Sequence, residues 1–126
     1  MCLDSGSDNI MRPKYESEDE AQFIHVRVEL ASGEVIEMKA NSTGTLICEK
    51  SVQSIVPLVP VLESLGYRLA QEGTEGTMKL RRNGEVIELL RDNKVLECSQ
   101  KDGEKLIKEL EARKKPMQGH DELVGA

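Results

Sequence analysis

Aromatic residues are almost missing from this chain: one Phe, two Tyr and no Trp in 126 residues. A core must therefore be packed from Val, Ile, Leu and Met. Positive charge is also short, with 17 Lys and Arg against 23 Asp and Glu, a net charge of −6 and a pI near 5.0. No basic patch with interleaved aromatics occurs, which argues against nucleic acid as the main partner. The one dense basic run, Arg113-Lys114-Lys115, reads as a solvated helix end. Cysteine is sparse as well. Cys2, Cys48 and Cys98 contain no Cys-x-x-Cys pair, which excludes a zinc ribbon, provides no disulfide framework and fits a reducing compartment. Cys48 and Cys98 read as core fillers.

Long apolar runs are missing too. Nothing approaches the roughly 20 residues that cross a bilayer, and Asp4 interrupts the N-terminus at once. The expectation is a soluble, cytoplasmic protein with no membrane partner. His25 is isolated on an alternating segment and reads as solvent-facing, while His120 lies in the tail. No His/Cys/carboxylate spacing suggests a metal, nothing resembles a phosphate loop, and no cofactor is expected. Ser5 has no serine-hydrolase motif around it.

What remains is a 14.0 kDa chain, the size of one domain. Its hydrophobic fraction of 38% is enough to fold but thin, so a partner chain would matter to stability. Ile24, Val26, Val28 and Leu30 alternate with His25, Arg27 and Glu29, the pattern of a half-buried strand. Ala31-Ser32-Gly33 turns the chain, Val35 to Met38 returns it, and Asn41 to Gly44 leads into a third strand over Thr45 to Cys48. Pro57 and Pro60 exclude a central strand or a regular helix through both, leaving a short strand at Ile55-Val56 and a helical turn from Pro60 to Leu65, ended by Gly66. Tyr67 to Ala70 is extended. Asn83-Gly84, flanked by Thr77 to Arg81 and Glu85 to Leu90, predicts a hairpin with a type I′ turn. Val95 to Cys98 adds a strand, and a helix capped by Asp102 runs to about Lys114 with Leu106, Ile107 and Leu110 on one face. The acidic run Glu16 to Glu20 reads as a solvated loop. Together these predict a mainly β, closed or sandwiched antiparallel domain with one or two short helices.

The N-terminal motif adds a specific reading. Leu3-Asp4-Ser5-Gly6-Ser7-Asp8 runs an apolar strand into Asp-Ser-Gly, and Val28 to Gly33, Gly44, then Ile55-Val56-Pro57-Leu58 with Leu65-Gly66-Tyr67 follow in order. This set resembles the retropepsins, the retroviral-type aspartic proteases, in the form found in retrotransposon polyproteins. The resemblance covers about Leu3 to Cys98. It implies a closed retropepsin-like β domain over 1–98, followed by a C-terminal helix (99–115) and a flexible tail (116–126).

It also implies a function: an aspartic endopeptidase that hydrolyses a peptide or polyprotein substrate. Two carboxylates about 3 Å apart share one proton, so one activates water while the other protonates the carbonyl oxygen. The chain has one such triplet, so the resemblance implies a homodimer with one Asp4 from each subunit. Ser5 would hydrogen-bond across the pair, and Gly6 would admit a turn closed to residues with a Cβ. Only Met1-Cys2-Leu3 precedes Asp4, so the family's first strand is reduced and an open sheet edge is expected. Val59 stands where related sequences carry glycine, and its Cβ is expected to crowd a neighbouring backbone. The alternative reading is a catalytically inactive, retroelement-derived β-module that binds peptides or proteins by strand addition at that edge.

Overall fold

The computed structural model describes residues 1–30, 32–71, 77–92, 95–114 and 123–125. The strands are β1 (Cys2–Asp4), β2 (Met11–Pro13), β3 (Ile24–Glu29), β4 (Val35–Ala40), β5 (Leu46–Cys48), β6 (Ile55–Pro57), β7 (Arg68–Gln71), β8 (Thr77–Arg82), β9 (Glu85–Asp92), β10 (Val95–Glu97) and β11 (Leu123–Gly125). Two helices, α1 (Leu58–Glu63) and α2 (Gln100–Arg113), complete the domain.

Local sequence explains most of these elements. β3 buries Val26 and Val28 and exposes His25, Arg27 and Glu29, as its alternation predicts. At the β8–β9 turn Asn83 has φ 44° and Gly84 φ 83°, the left-handed pair that a type I′ turn requires. α1 begins two residues earlier than expected because both prolines are compatible with its first turn. Pro57 ends β6 and precedes the helix; Pro60 is the third helical residue, where an N–H has no intrahelical acceptor to lose. The cap of α2 is Ser99 rather than Asp102: Ser99 Oγ accepts from the Asp102 N–H at 3.1 Å, and Asp102 lies inside the first turn. Ser99→Ala is expected to cost about 1 kcal/mol, read as a shift of the urea midpoint.

The strands form one sheet in the order β11-β3-β4-β5-β2-β6-β1-β10-β9-β8-β7. Among the described residues the sheet is open and mixed, not the closed antiparallel domain expected. β1 pairs parallel with β6, β2 with β5, and β11 with β3. Periodicity identifies a strand but carries no information about which distant strand it meets or in which direction.

The expected open edge next to Asp4 is also corrected. β1 lies inside the sheet, between β6 and β10, and the terminal strands of the order are β11 and β7. The Met1 ammonium donates to the Cys98 carbonyl at 2.8 Å, and the Cys98 N–H donates back to the Met1 carbonyl at 2.9 Å. Part of the expected flexible tail is placed as well: the Leu123–Gly125 backbone pairs with Arg27 to Glu29.

Successive residues of β1 face opposite sides of the sheet, and a separate core lies on each side. Leu3, in register with Leu96 and Val56, belongs to a cluster containing Leu80, Ile87, Leu89 and, from α2, Leu106, Ile107 and Leu110. α2 lies close against the N-terminus here, since a Cβ on Gly103 would collide with Met1 Sδ. Cys2 faces the other side, in register with Ile55, which pairs in turn with Met11. That side leads to a second cluster under the β3–β4 hairpin: Val26, Val28, Ala40 and Leu46, with Met11, Ile36 and Met38 packed against them.

Candidate active site

β1 places Asp4 at its C-terminal end, in register with Pro57, so that the Asp4-Ser5-Gly6 turn emerges from the middle of the sheet. The Gly6 N–H donates to Asp4 Oδ1 at 2.8 Å, and the Ser7 N–H donates to the Asp4 carbonyl at 3.4 Å. These bonds fix the carboxylate relative to the turn. Gly6 is not among the positive-φ glycines, and a Cβ there would lie 3.5 Å from Asp4 Oδ1, an ordinary contact. Its part in the turn is thus its N–H, not a conformation reserved for glycine. Ser5 is exposed at the tip. Ser7 is buried and anchors the far side of the turn, its Oγ donating to the Asn9 carbonyl at 2.9 Å.

Asp4 lies between two hollows. A cleft of about 410 Å³ runs from Asp4 and Ser7 under the β3–β4 hairpin, walled by Val28, Leu30, Ile36 and Met38, with Met11 and Ile55 from the sheet. Asp4 is its one carboxylate among the described residues, and the lining is otherwise apolar or neutral. A smaller hollow of about 190 Å³ lies on the other side, formed by Asp4, Ser5, Leu58 and Val95 with their neighbours. The turn, the late apolar segment and the first hairpin, far apart in sequence, therefore meet around one carboxylate. Val59 does not crowd this turn. It is the second residue of α1 and is exposed, so its Cβ faces solvent.

A second cluster was not foreseen. Arg12 is 3% exposed, and its guanidinium donates to both oxygens of Glu18 at 2.7 and 3.0 Å and of Glu111 at 2.9 and 3.1 Å. It also stacks 3.7 Å from the centroid of the Tyr15 ring, and Asn41 Nδ2 donates to Glu111 Oε2 at 2.8 Å. The acidic run is therefore not simply solvated: Glu18 ties that loop to β2, and Glu111 ties β2 to α2. The available signal was an Arg at the centre of an apolar strand, followed closely by acidic residues. A cleft of about 540 Å³ opens beside Arg12 and Lys14 but does not reach Asp4, and the Arg12 donors are already committed to carboxylates. It is separate from the Asp4 turn.

The Arg12 hydrogen bonds hold the Glu18 carboxyl below its usual 4.5 despite partial burial, which acts in the opposite direction. The stabilisation from this lowered value is fully present above pH 4.5 and is lost as pH falls through the folded-state value. Urea unfolding across pH is expected to show the midpoint falling in acid. Glu18→Gln is expected to lower the midpoint at neutral pH and flatten its decline below 4.5.

Burial pushes the Cys98 thiol up to about 11, and burial together with nearby Asp4 raises that of Cys2. Cys48 is raised by burial as well. All three cysteines are free and protonated at neutral pH, which makes them poor nucleophiles. His25 is exposed; His120 lies outside the described residues. Of the basic run, Arg113 donates to the Ser64 carbonyl at 3.0 Å, while Lys115 lies outside the described residues. Among the described residues, no group of three or more His, Cys, Asp and Glu is arranged to hold a metal, and no helix is long and apolar enough to cross a membrane. No protein-family model, curated protein or solved structure matches the chain.

Proposed function

We propose that the chain is one half of an aspartic endopeptidase of the retropepsin-like kind, acting on extended, apolar peptide segments. One observation carries the reading: a single carboxylate, held by the backbone of an Asp-Ser-Gly turn, stands at the end of an apolar cleft roofed by a β-hairpin. The cleft would hold the substrate extended, with apolar side chains against Val28, Ile36 and Met38. Asp4 would stand beside the scissile bond.

Catalysis then requires the Asp4 of a second copy, because the cleft supplies one carboxylate. The two would share a proton below neutral pH. The ionised member takes a proton from water as it attacks the carbonyl carbon, and the protonated member donates to the carbonyl oxygen. The resulting tetrahedral intermediate then collapses, the amine leaves with a proton, and the C–N bond breaks. A cytoplasmic location and a polyprotein substrate go with this reading. The second reading, peptide binding without hydrolysis, uses the same cleft and is favoured by the lone carboxylate.

The test is cleavage of a library of extended peptides at pH 5 to 7 while protein concentration is varied. A dimer with a shared site predicts specific activity that rises with concentration until dimers saturate. It also predicts inhibition by a peptide carrying a secondary hydroxyl in place of the scissile amide. Binding of that peptide without turnover at any concentration supports the non-catalytic reading. Absence of both binding and turnover overturns the proposal.

A further inference from the structure

The cleft next to Asp4 is unusually rich in sulfur. Of the five methionines in the chain, Met11 and Met38 both line it, together with Cys48. They come from three different strands, β2, β4 and β5. Met11 is in register with Leu46, and Cys48 stands two residues along the same strand, on the same side of the sheet. β4 and β5 pair Lys39 with Ile47 and Ala40 with Leu46, which sets the strand of Met38 beside the strand of Cys48. Both methionines are half-buried, packed on the second core cluster and open to the cleft.

From this convergence we propose that Met11 and Met38 form an oxidation-sensitive site, at which a peroxide converts the thioethers to sulfoxides and closes the cleft to apolar ligands. Ligand identity here rests on the peptide-binding reading above; the oxidation chemistry does not. In the step, the thioether sulfur attacks one peroxide oxygen, the O–O bond breaks and an S–O bond forms. The other oxygen leaves as water after proton transfer. Sulfur loses two electrons and the peroxide gains them. Burial raises the Cys48 thiol and so lowers the share of thiolate, its reactive form.

The product explains the effect. A sulfoxide is polar and chiral where the thioether was apolar and flexible. In this cleft its oxygen has few donors to meet, since apart from Ser7, Asn9 and Cys48 the lining is apolar or, at Asp4, an acceptor. An apolar ligand would have to bury that oxygen without a hydrogen bond, whereas water would solvate it.

The experiment treats the full chain with dilute hydrogen peroxide and follows each methionine by peptide mass. Binding of an apolar fluorescent dye and of the hydroxyl-containing peptide is measured before and after. Met78, half-buried against the other core and absent from this cleft, is the internal reference. Met11 and Met38 are expected to gain oxygen ahead of Met78, and both probes to weaken by about tenfold. Met11→Leu/Met38→Leu, nearly volume-conserving, is compared with itself across the treatment and is expected to show no peroxide-dependent change in its binding of either probe. Oxidation of Met78 first, or equal loss of dye binding in the double-leucine variant, overturns the inference. Dye binding that responds as described, in a chain that never binds the peptide, removes the peptidase reading and leaves this one standing. A chain that binds neither probe before treatment overturns both.

Discussion

Asp4→Asn is expected to lower peptide turnover by about 10² to 10⁴ while leaving the fold and the dimer intact. The amide is nearly the same size as the carboxyl. It can still accept the Gly6 N–H at the position of Asp4 Oδ1, now 2.8 Å away, so the turn keeps its geometry. It cannot take a proton from water or pass one to a carbonyl oxygen. Because the proposed site uses the same residue from both subunits, one substitution removes both acid/base groups. Cleavage across pH, with circular dichroism and sedimentation of the variant, separates chemistry from folding. Unchanged turnover in a folded, dimeric Asp4→Asn protein rules out the aspartic mechanism. Ser5→Ala is expected to act on association instead, by about 1 kcal/mol if its exposed hydroxyl bonds across the subunits.

Arg12→Met is expected to destabilise the domain by about 2 to 3 kcal/mol, the largest stability effect of any single charged residue considered. The methionine fills similar space, so the loss comes from the charges left behind. Glu18 and Glu111 are only 19% and 16% exposed, and both would face each other without a cation. The figure lies below the usual range for a fully buried pair because water still reaches both carboxylates. Urea unfolding at neutral pH checks it. Adding Glu18→Gln and Glu111→Gln is expected to recover much of the loss, since no unpaired charge then remains. By contrast, Lys39→Met breaks a pair with Glu20 whose side chains are 41% and 66% exposed, and the midpoint is expected to move little. A triple variant no more stable than Arg12→Met would show that packing, not charge, dominates.

These two residues mark the limits of what could be read from the sequence. The Asp4 turn was legible because its geometry is local: a short apolar strand, a carboxylate and small residues in sequence. The β8–β9 hairpin and the alternation of β3 were legible for the same reason, since Asn83-Gly84 sets its own dihedral angles and Val26 and Val28 mark one face. Arg12 was missed because its partners lie six and 99 residues away, and nothing local shows that α2 passes over β2. Ser99 was missed as a cap because Asp102 offers the same side-chain chemistry three residues later. The parallel pairings and the open order of the sheet were illegible because each joins segments distant in sequence. Val59 was misjudged for a related reason: its surroundings depend on where α1 begins, which both prolines permit to be earlier than their spacing suggests.

The place of β1 between β6 and β10 bears on when the protein becomes complete during synthesis. Asp4 leaves the ribosome well ahead of Val95 to Glu97, which supply one neighbour of its strand. Closing so long a loop is entropically costly and slow compared with forming the β8–β9 hairpin. The nascent chain therefore carries its carboxylate without one of the strands that hold it in the sheet until Val95 to Glu97 have been made. Acquisition of an ordered Asp4 turn is tied to arrival of β10, a built-in delay between synthesis of the carboxylate and completion of the sheet around it.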